Sequence, residues 1–277
     1  MKTLLLVLVI LTSTRSNLVS AADYNDLVLQ AIAEMPQGGT YKISKAASSA
    51  ITQAIGSDDS GHLKVSVNPD APSYCSGATY LVFMKTLEKL QNNGKISMRP
   101  KTIQALGTSP AGSWLPDGHG IWGRWNANGP GTAGVFSDLG IGYNFSDDSF
   151  ANAKPGDFMK VFWGQDVGKN EAGHSVIFTG VIPLGASGDK VEQVCFWSSN
   201  TNMGFGKKCV PRTKIKNVIF SRLTTPENIN DGSAHLKQIN TYLSTLLAKD
   251  SNIGEARNET STVSVPRSGT GTLPNHH

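Results

Sequence analysis

The chain has 277 residues, 39% of them hydrophobic and 17% charged, with 25 Lys and Arg against 21 Asp and Glu for a formal net charge of +4. A chain of this length can bury a substantial core in one large domain. So small a positive balance, with no Lys/Arg cluster interleaved with aromatic residues, argues against a nucleic-acid binder.

The first element is an export signal. Lys2 precedes an unbroken apolar run from Leu4 to Leu11, and small residues lead to Ala21 and Ala22. This is the layout of a secretory signal peptide over residues 1–21, and the run is too short to span a bilayer. The mature chain is expected to be soluble, secreted or periplasmic, with no membrane association after cleavage.

From Asp23 to about Ser60 the pattern is helical. "YNDLVLQAIAEM" sets Leu27, Leu29, Ile32 and Met35 near one face, and "SKAASSAITQAI" follows the break at Gly38-Gly39. These residues predict an N-terminal helical layer over 23–60. "GHLKVSVNPDA" (61–71) alternates like a short strand and ends in a turn signal. The stretch "PSYCSGATYLVF" then opens a helix that runs to the stop at Asn92-Asn93-Gly94, with Ser73 as the expected N-cap and Cys75 in the first turn. A thiol at the positive end of a helix dipole is favoured as thiolate.

Residues of about 105–150 are rich in Gly, Asn, Pro and Trp and predict a long loop insertion, in which Trp114, Trp122 and Trp125 could stack on sugar rings. "KPGDFMKVFW", "GHSVIFTGVI", "KVEQVCFW" and "NVIFSRL" read as four strands. A cysteine-bearing helix followed by antiparallel strands indicates an α+β domain. Residues 233–249 predict a closing amphipathic helix, with Leu236, Ile239, Leu243, Leu246 and Leu247 on one face, and 250–277 read as a disordered tail. The single domain is therefore expected to occupy 22–249.

Three cysteines in an exported chain leave one odd. Cys195 and Cys209 flank the Gly- and Asn-rich turn of "CFWSSNTNMGFGKKC", which suits a bridged hairpin and leaves Cys75 free. Spacing alone also allows Cys75 to pair with either of the others.

A cysteine nucleophile needs a base and a group to orient that base. His174, at the end of a strand, can reach a helix N-terminus, and the end of the next strand carries Asn200, which could accept from one imidazole nitrogen, with Ser198 as the alternative orienting residue. Asp117 and His119 lie close together, but no second histidine stands at metal-ligand spacing, so neither a metal nor a cofactor is expected.

The order of "YCSGATYLV", "KPGDFMKVFW", "GHSVIFTGV" and "VCFWSSNTN" resembles the papain-like cell-wall amidases and peptidases of the NlpC and CHAP type, over roughly residues 71–220. The resemblance implies N-terminal helices packed on a central antiparallel sheet, with Cys75 as nucleophile and His174 as general base. NlpC-type proteins often carry a histidine at the third position and CHAP-type proteins an acidic residue or asparagine, so Asn200 is the preferred match. The implied activity is hydrolysis of amide bonds in peptidoglycan, in the stem peptide or at its link to sugar. Peptidoglycan is the expected partner, and the reading leaves room for an inhibitor or immunity protein. Two competing readings are a cysteine hydrolase acting on a protein substrate and a noncatalytic wall- or glycan-binding protein on a degenerate amidase scaffold.

Overall fold

The computed structural model describes residues 23–108, 115–183 and 191–261. The leader reading (1–21) and Trp114 lie outside them. Along the chain run α1 (Asn25–Ala33), α2 (Lys45–Ala54), β1 (Ile55–Ser57), β2 (Leu63–Val65), α3 (Cys75–Asn92), α4 (Pro100–Leu106), α5 (Gly120–Trp125), α6 (Gly131–Leu139) and β3 (Gly142–Phe145). Then come β4 (Phe158–Phe162), β5 (Val167–Gly168), β6 (Gly173–Pro183), β7 (Val191–Asn200), β8 (Gly204–Pro211) and β9 (Asn217–Leu223). α7 (Ile229–Gly232), α8 (Thr241–Thr245), β10 (Asp250–Ser251) and α9 (Ile253–Glu259) complete the described chain. The protein is a mixed α+β structure with antiparallel sheets.

The main sheet has six strands in the order β3-β9-β4-β6-β7-β8, and every neighbouring pair is antiparallel. Because side chains alternate between faces, the sheet is apolar on both sides. Phe158, Ile177 and Trp197 pack with the helices, while Met159, Val176, Phe178, Phe196, Val218 and Phe220 form a second cluster.

Helix α3 buries residues around most of its circumference, including Ala78, Tyr80, Leu81, Val82, Phe83, Met84, Leu87 and Leu90. A helix apolar on all sides is a core helix rather than a surface one. It packs against α1, α2 and the sheet. Its N-cap is Tyr74, with no side-chain hydrogen bond to the first turn. The expected cap, Ser73, is instead hydrogen-bonded to Ser199 Oγ at 2.7 Å, which ties the start of α3 to the end of β7. Its hydroxyl is thereby engaged by a partner 126 residues away, a contact that local sequence does not reveal.

The Pro-Gly-Asp triplet has a structural role. Asp157 is fully buried and accepts from Arg222 Nε and Nη2 (both 2.7 Å), Asn25 Nδ2 (2.9 Å) and the Lys154 N–H (2.7 Å), locking α1, β4 and β9 together. Gly156, at φ +98°, lies where a Cβ would collide with Asn25. The charge is thus compensated by a cation and by several donors, the condition for burying a carboxylate.

Three further expectations are corrected. The described part of the segment 105–150 is not a loop insertion: it folds into α5, α6 and β3, and its apolar side chains Ile121, Trp122, Trp125, Val135, Phe136 and Leu139 lie in the core. Trp125 stacks on Phe83 with centroids 5.0 Å apart, and its Nε1 donates to Ser76 O (3.1 Å) and Thr79 Oγ1 (3.2 Å). Gly140, at φ +61°, ends α6 in the left-handed conformation that glycine adopts without strain.

The closing helix expected over 233–249 is broken into a 3-10 turn at Ser233–Lys237 and the short α8. The buried Arg124 guanidinium takes the carbonyls of His235 (3.1 Å) and Gln238 (2.5 Å), which a continuous helix would need for itself, and Asn240 then caps α8 by accepting from the Leu243 N–H (3.0 Å). Ile239 and Leu247, expected on the buried face, are exposed.

The first part of the tail expected from residue 250 is ordered. β10 pairs with β5, and α9 is capped by Asn252 and buries Ala256. Residues 262–277 lie outside the described part. Among the described residues no helix is long and apolar enough to cross a membrane. Cys195 and Cys209 form a disulfide across directly paired residues of β7 and β8, leaving Cys75 free.

Candidate active site

Sheet register brings two of the sequence-selected residues together. β6 pairs with β7 from Ile177 opposite Trp197, and continuing that register by three residues sets His174 opposite Asn200. There side chains take over from the backbone ladder: Ser198 Oγ donates to Ser175 O at 2.8 Å, and His174 Nε2 meets Asn200 Oδ1 at 3.2 Å. Ser198 therefore braces the strand and does not touch the imidazole. Asn200 is 1% exposed, so its amide is shielded from water.

The Asn200 amide has one consistent orientation. Its Nδ2 donates to Ser198 O (3.1 Å) and Gly206 O (3.0 Å), so the atom facing His174 is the oxygen, which can only accept. Nε2 must therefore carry the proton, leaving Nδ1 of a neutral imidazole as a base.

Cys75, half-buried, stands at the N-terminus of α3. Burial works against its thiolate. The hydrogen bond and charge of His174, the Ser175 N–H and the charge of Lys160 outweigh that cost, and the thiol falls from an ordinary 9.0 to about 7. The first-turn N–H groups of α3, uncapped by any side chain, add the positive end of the helix dipole.

Two further residues at the site carried little sequence signal. Tyr41 lies between α1 and α2 in a short coil that pairs with the chain just before Cys75: the Lys42 N–H donates to Ser73 O (2.8 Å) and the Ser73 N–H to Thr40 O (2.9 Å). Its phenol interacts with the Cys75 thiol. Burial, the Cys75 charge and this interaction all raise the Tyr41 pKa, so the phenol stays a proton donor. Nothing local in the sequence marks a tyrosine 34 residues before the cysteine as its partner. Trp163 ends the "KPGDFMKVFW" strand motif, and its ring centroid is 6.4 Å from that of His174.

Tyr41, Trp163, His174 and Asn200 line a cleft of about 420 Å³, which Lys208 and Lys214 also face. Trp122 and Trp125, two of the tryptophans expected to bind sugar, do not line it. Trp125 is 1% exposed and belongs to the core, and Trp122, 5% exposed, contacts Tyr80 edge-on and borders a different cleft with His119 and Gly120. Asp117 and His119 interact only through a turn, in which the His119 N–H donates to Asp117 Oδ1 at 3.0 Å.

A thiol lowered to about 7, a base whose second nitrogen is held by a buried amide and a set of free helix N–H groups together suit nucleophilic attack on a carbonyl carbon. Comparison with protein-family models, with curated proteins and with solved structures finds no match for this chain.

Proposed function

We propose that the protein is a cysteine amidase or peptidase of the papain-like NlpC and CHAP type that hydrolyses amide bonds of peptidoglycan after export. The observation that carries this reading is the His174 Nε2 to Asn200 Oδ1 contact, with the amide held in one orientation. It leaves Nδ1 for the Cys75 proton, as an activated thiol requires.

In the proposed reaction the Cys75 thiolate forms a bond to the scissile carbonyl carbon, and the C=O π pair moves to oxygen. Backbone N–H groups at the start of α3 stabilise that oxyanion. The protonated His174 Nδ1 gives its proton to the leaving nitrogen as the C–N bond breaks, which leaves a thioester on Cys75. Water then attacks the thioester, Nδ1 takes its proton, and the acid product leaves with the thiolate restored. Tyr41 holds the sulfur between turnovers by donating its phenolic hydrogen.

The test is mass spectrometry of purified peptidoglycan digested with the mature protein beside its Cys75→Ala variant. New fragments from the wild type alone support the reading, and their masses name the bond cut. Equal fragments from both proteins, or none from either, would sink it; the second outcome with wall binding retained would favour a binding protein.

A further inference from the structure

The cleft carries charge that the proposed chemistry does not use. Lys208 and Lys214 both line it beside His174 and Asn200, and no Asp or Glu is among its lining residues. Neither ammonium is ion-paired within the described residues. Two uncompensated like charges facing one cleft repel each other, an arrangement that an anion between them relieves.

Their backbones are firmly held. Lys208 sits on β8 directly opposite Phe196 of β7, one residue from the Cys195–Cys209 disulfide. Lys214 ends a 3-10 turn that Arg212 braces by donating to Ile215 O (2.6 Å) and Asp148 O (2.8 Å). The half-buried Trp163 offers an aromatic surface in the same cleft, next to the imidazole.

We infer that this cleft is a subsite for a carboxylate-bearing peptide segment, read by Lys208 and Lys214 next to the amide presented to Cys75. The inference rests on the proposed amidase reading for its substrate, but the field of the cleft can be measured without turnover. The preferred substrate is thus a stem peptide with a free carboxylate flanking the scissile bond, and its amidated counterpart is the poorer one.

The experiment compares the rates at which Cys75 is alkylated by anionic iodoacetate and by neutral iodoacetamide. Clefts lined by one sign of charge raise the local concentration of counter-ions by about tenfold or more at low salt. The iodoacetate-to-iodoacetamide rate ratio should therefore fall about tenfold in a Lys208→Met/Lys214→Met variant, with the difference shrinking as salt is added. A control, Lys95→Met/Lys101→Met, removes the same charge from exposed positions that follow the C-terminal end of α3, opposite the end that carries Cys75, and should leave the ratio unchanged. An equal ratio in wild type and the cleft variant, or a Cys75 that neither reagent reaches, would overturn the inference.

Paired stem peptides with the flanking carboxylate free or amidated give the second arm. About a tenfold higher kcat/KM for the free acid, erased in the cleft variant, supports the subsite, and equal wild-type rates overturn it. Cleavage of neither peptide would count against the amidase reading alone, because the alkylation ratio still decides the subsite.

Discussion

The Lys160 ammonium and the Glu171 carboxylate meet at 2.5 Å, the two side chains 10% and 3% exposed, beside the strand that carries His174. Lys160 is paired across the sheet with Ser175, whose N–H reaches the Cys75 sulfur, and Glu171 also accepts from the N–H groups of Gly129 and Gly168. Gly173 makes room for the pair, since a Cβ there would press on both side chains. Removing one partner of a buried ion pair leaves the other charge uncompensated. Lys160→Met should therefore destabilise the fold by about 3–5 kcal/mol and move Cys75 alkylation to higher pH, measured by denaturant unfolding and a pH–rate series. A pH profile identical to wild type would show that Lys160 serves the fold alone.

The thiol itself sets a second pH effect. Its folded pKa is depressed to about 7, so alkylation by iodoacetamide should be half-maximal near pH 7 rather than near 9. A depressed folded pKa contributes stability that is fully present above the unfolded value and is lost as pH falls through the folded one. Wild type should thus gain stability over Cys75→Ala as pH rises from about 7 to 9, read as the difference in their melting temperatures. A flat difference across that window would count against a thiolate at Cys75.

Asn200 should affect rate more than binding. Asn200→Ala removes the acceptor that holds the proton on Nε2, so neither the tautomer nor the orientation of the ring toward the thiol is fixed any longer. The expected result is a kcat reduced by less than the ~10²–10⁴-fold expected for loss of general acid–base catalysis in His174→Ala, with KM little changed. Ser198→Ala should leave kcat near wild type, because that hydroxyl bonds Ser175 O and not the ring.

Trp125 should report on stability. Trp125→Ala empties a site among Phe83, Phe158 and Tyr80 and should cost about 3–5 kcal/mol. A variant of unchanged stability with weakened wall binding would return this residue to the substrate surface.

Tryptophan is where local reading failed most clearly. The Gly-, Asn- and Pro-rich context of Trp122 and Trp125 resembles a surface loop, because those residues punctuate chains at turns. Here the turns separate short helices whose apolar side chains close over α3. The closing helix failed for a related reason: its periodicity was helical, but the competing claim of Arg124 on its carbonyls comes from a residue over 100 positions earlier.

What the sequence determined by itself was local and chemical. Period-two alternation marked the strands and gave the α+β character, and a Gly-rich turn between two cysteines favoured a bridged hairpin, whose Cys195–Cys209 pairing the structure then fixed. The apolar repeat after Cys75 marked the long helix. These signals depend on neighbours within a few residues, which sequence displays directly. Only the tertiary structure decided the rest: the register that sets His174 against Asn200, the coil that brings Tyr41 to the sulfur, the Lys160–Glu171 pair and the two lysines across the cleft. Each joins segments distant in the chain, and such contacts are fixed by how whole elements pack, not by the residues on either side.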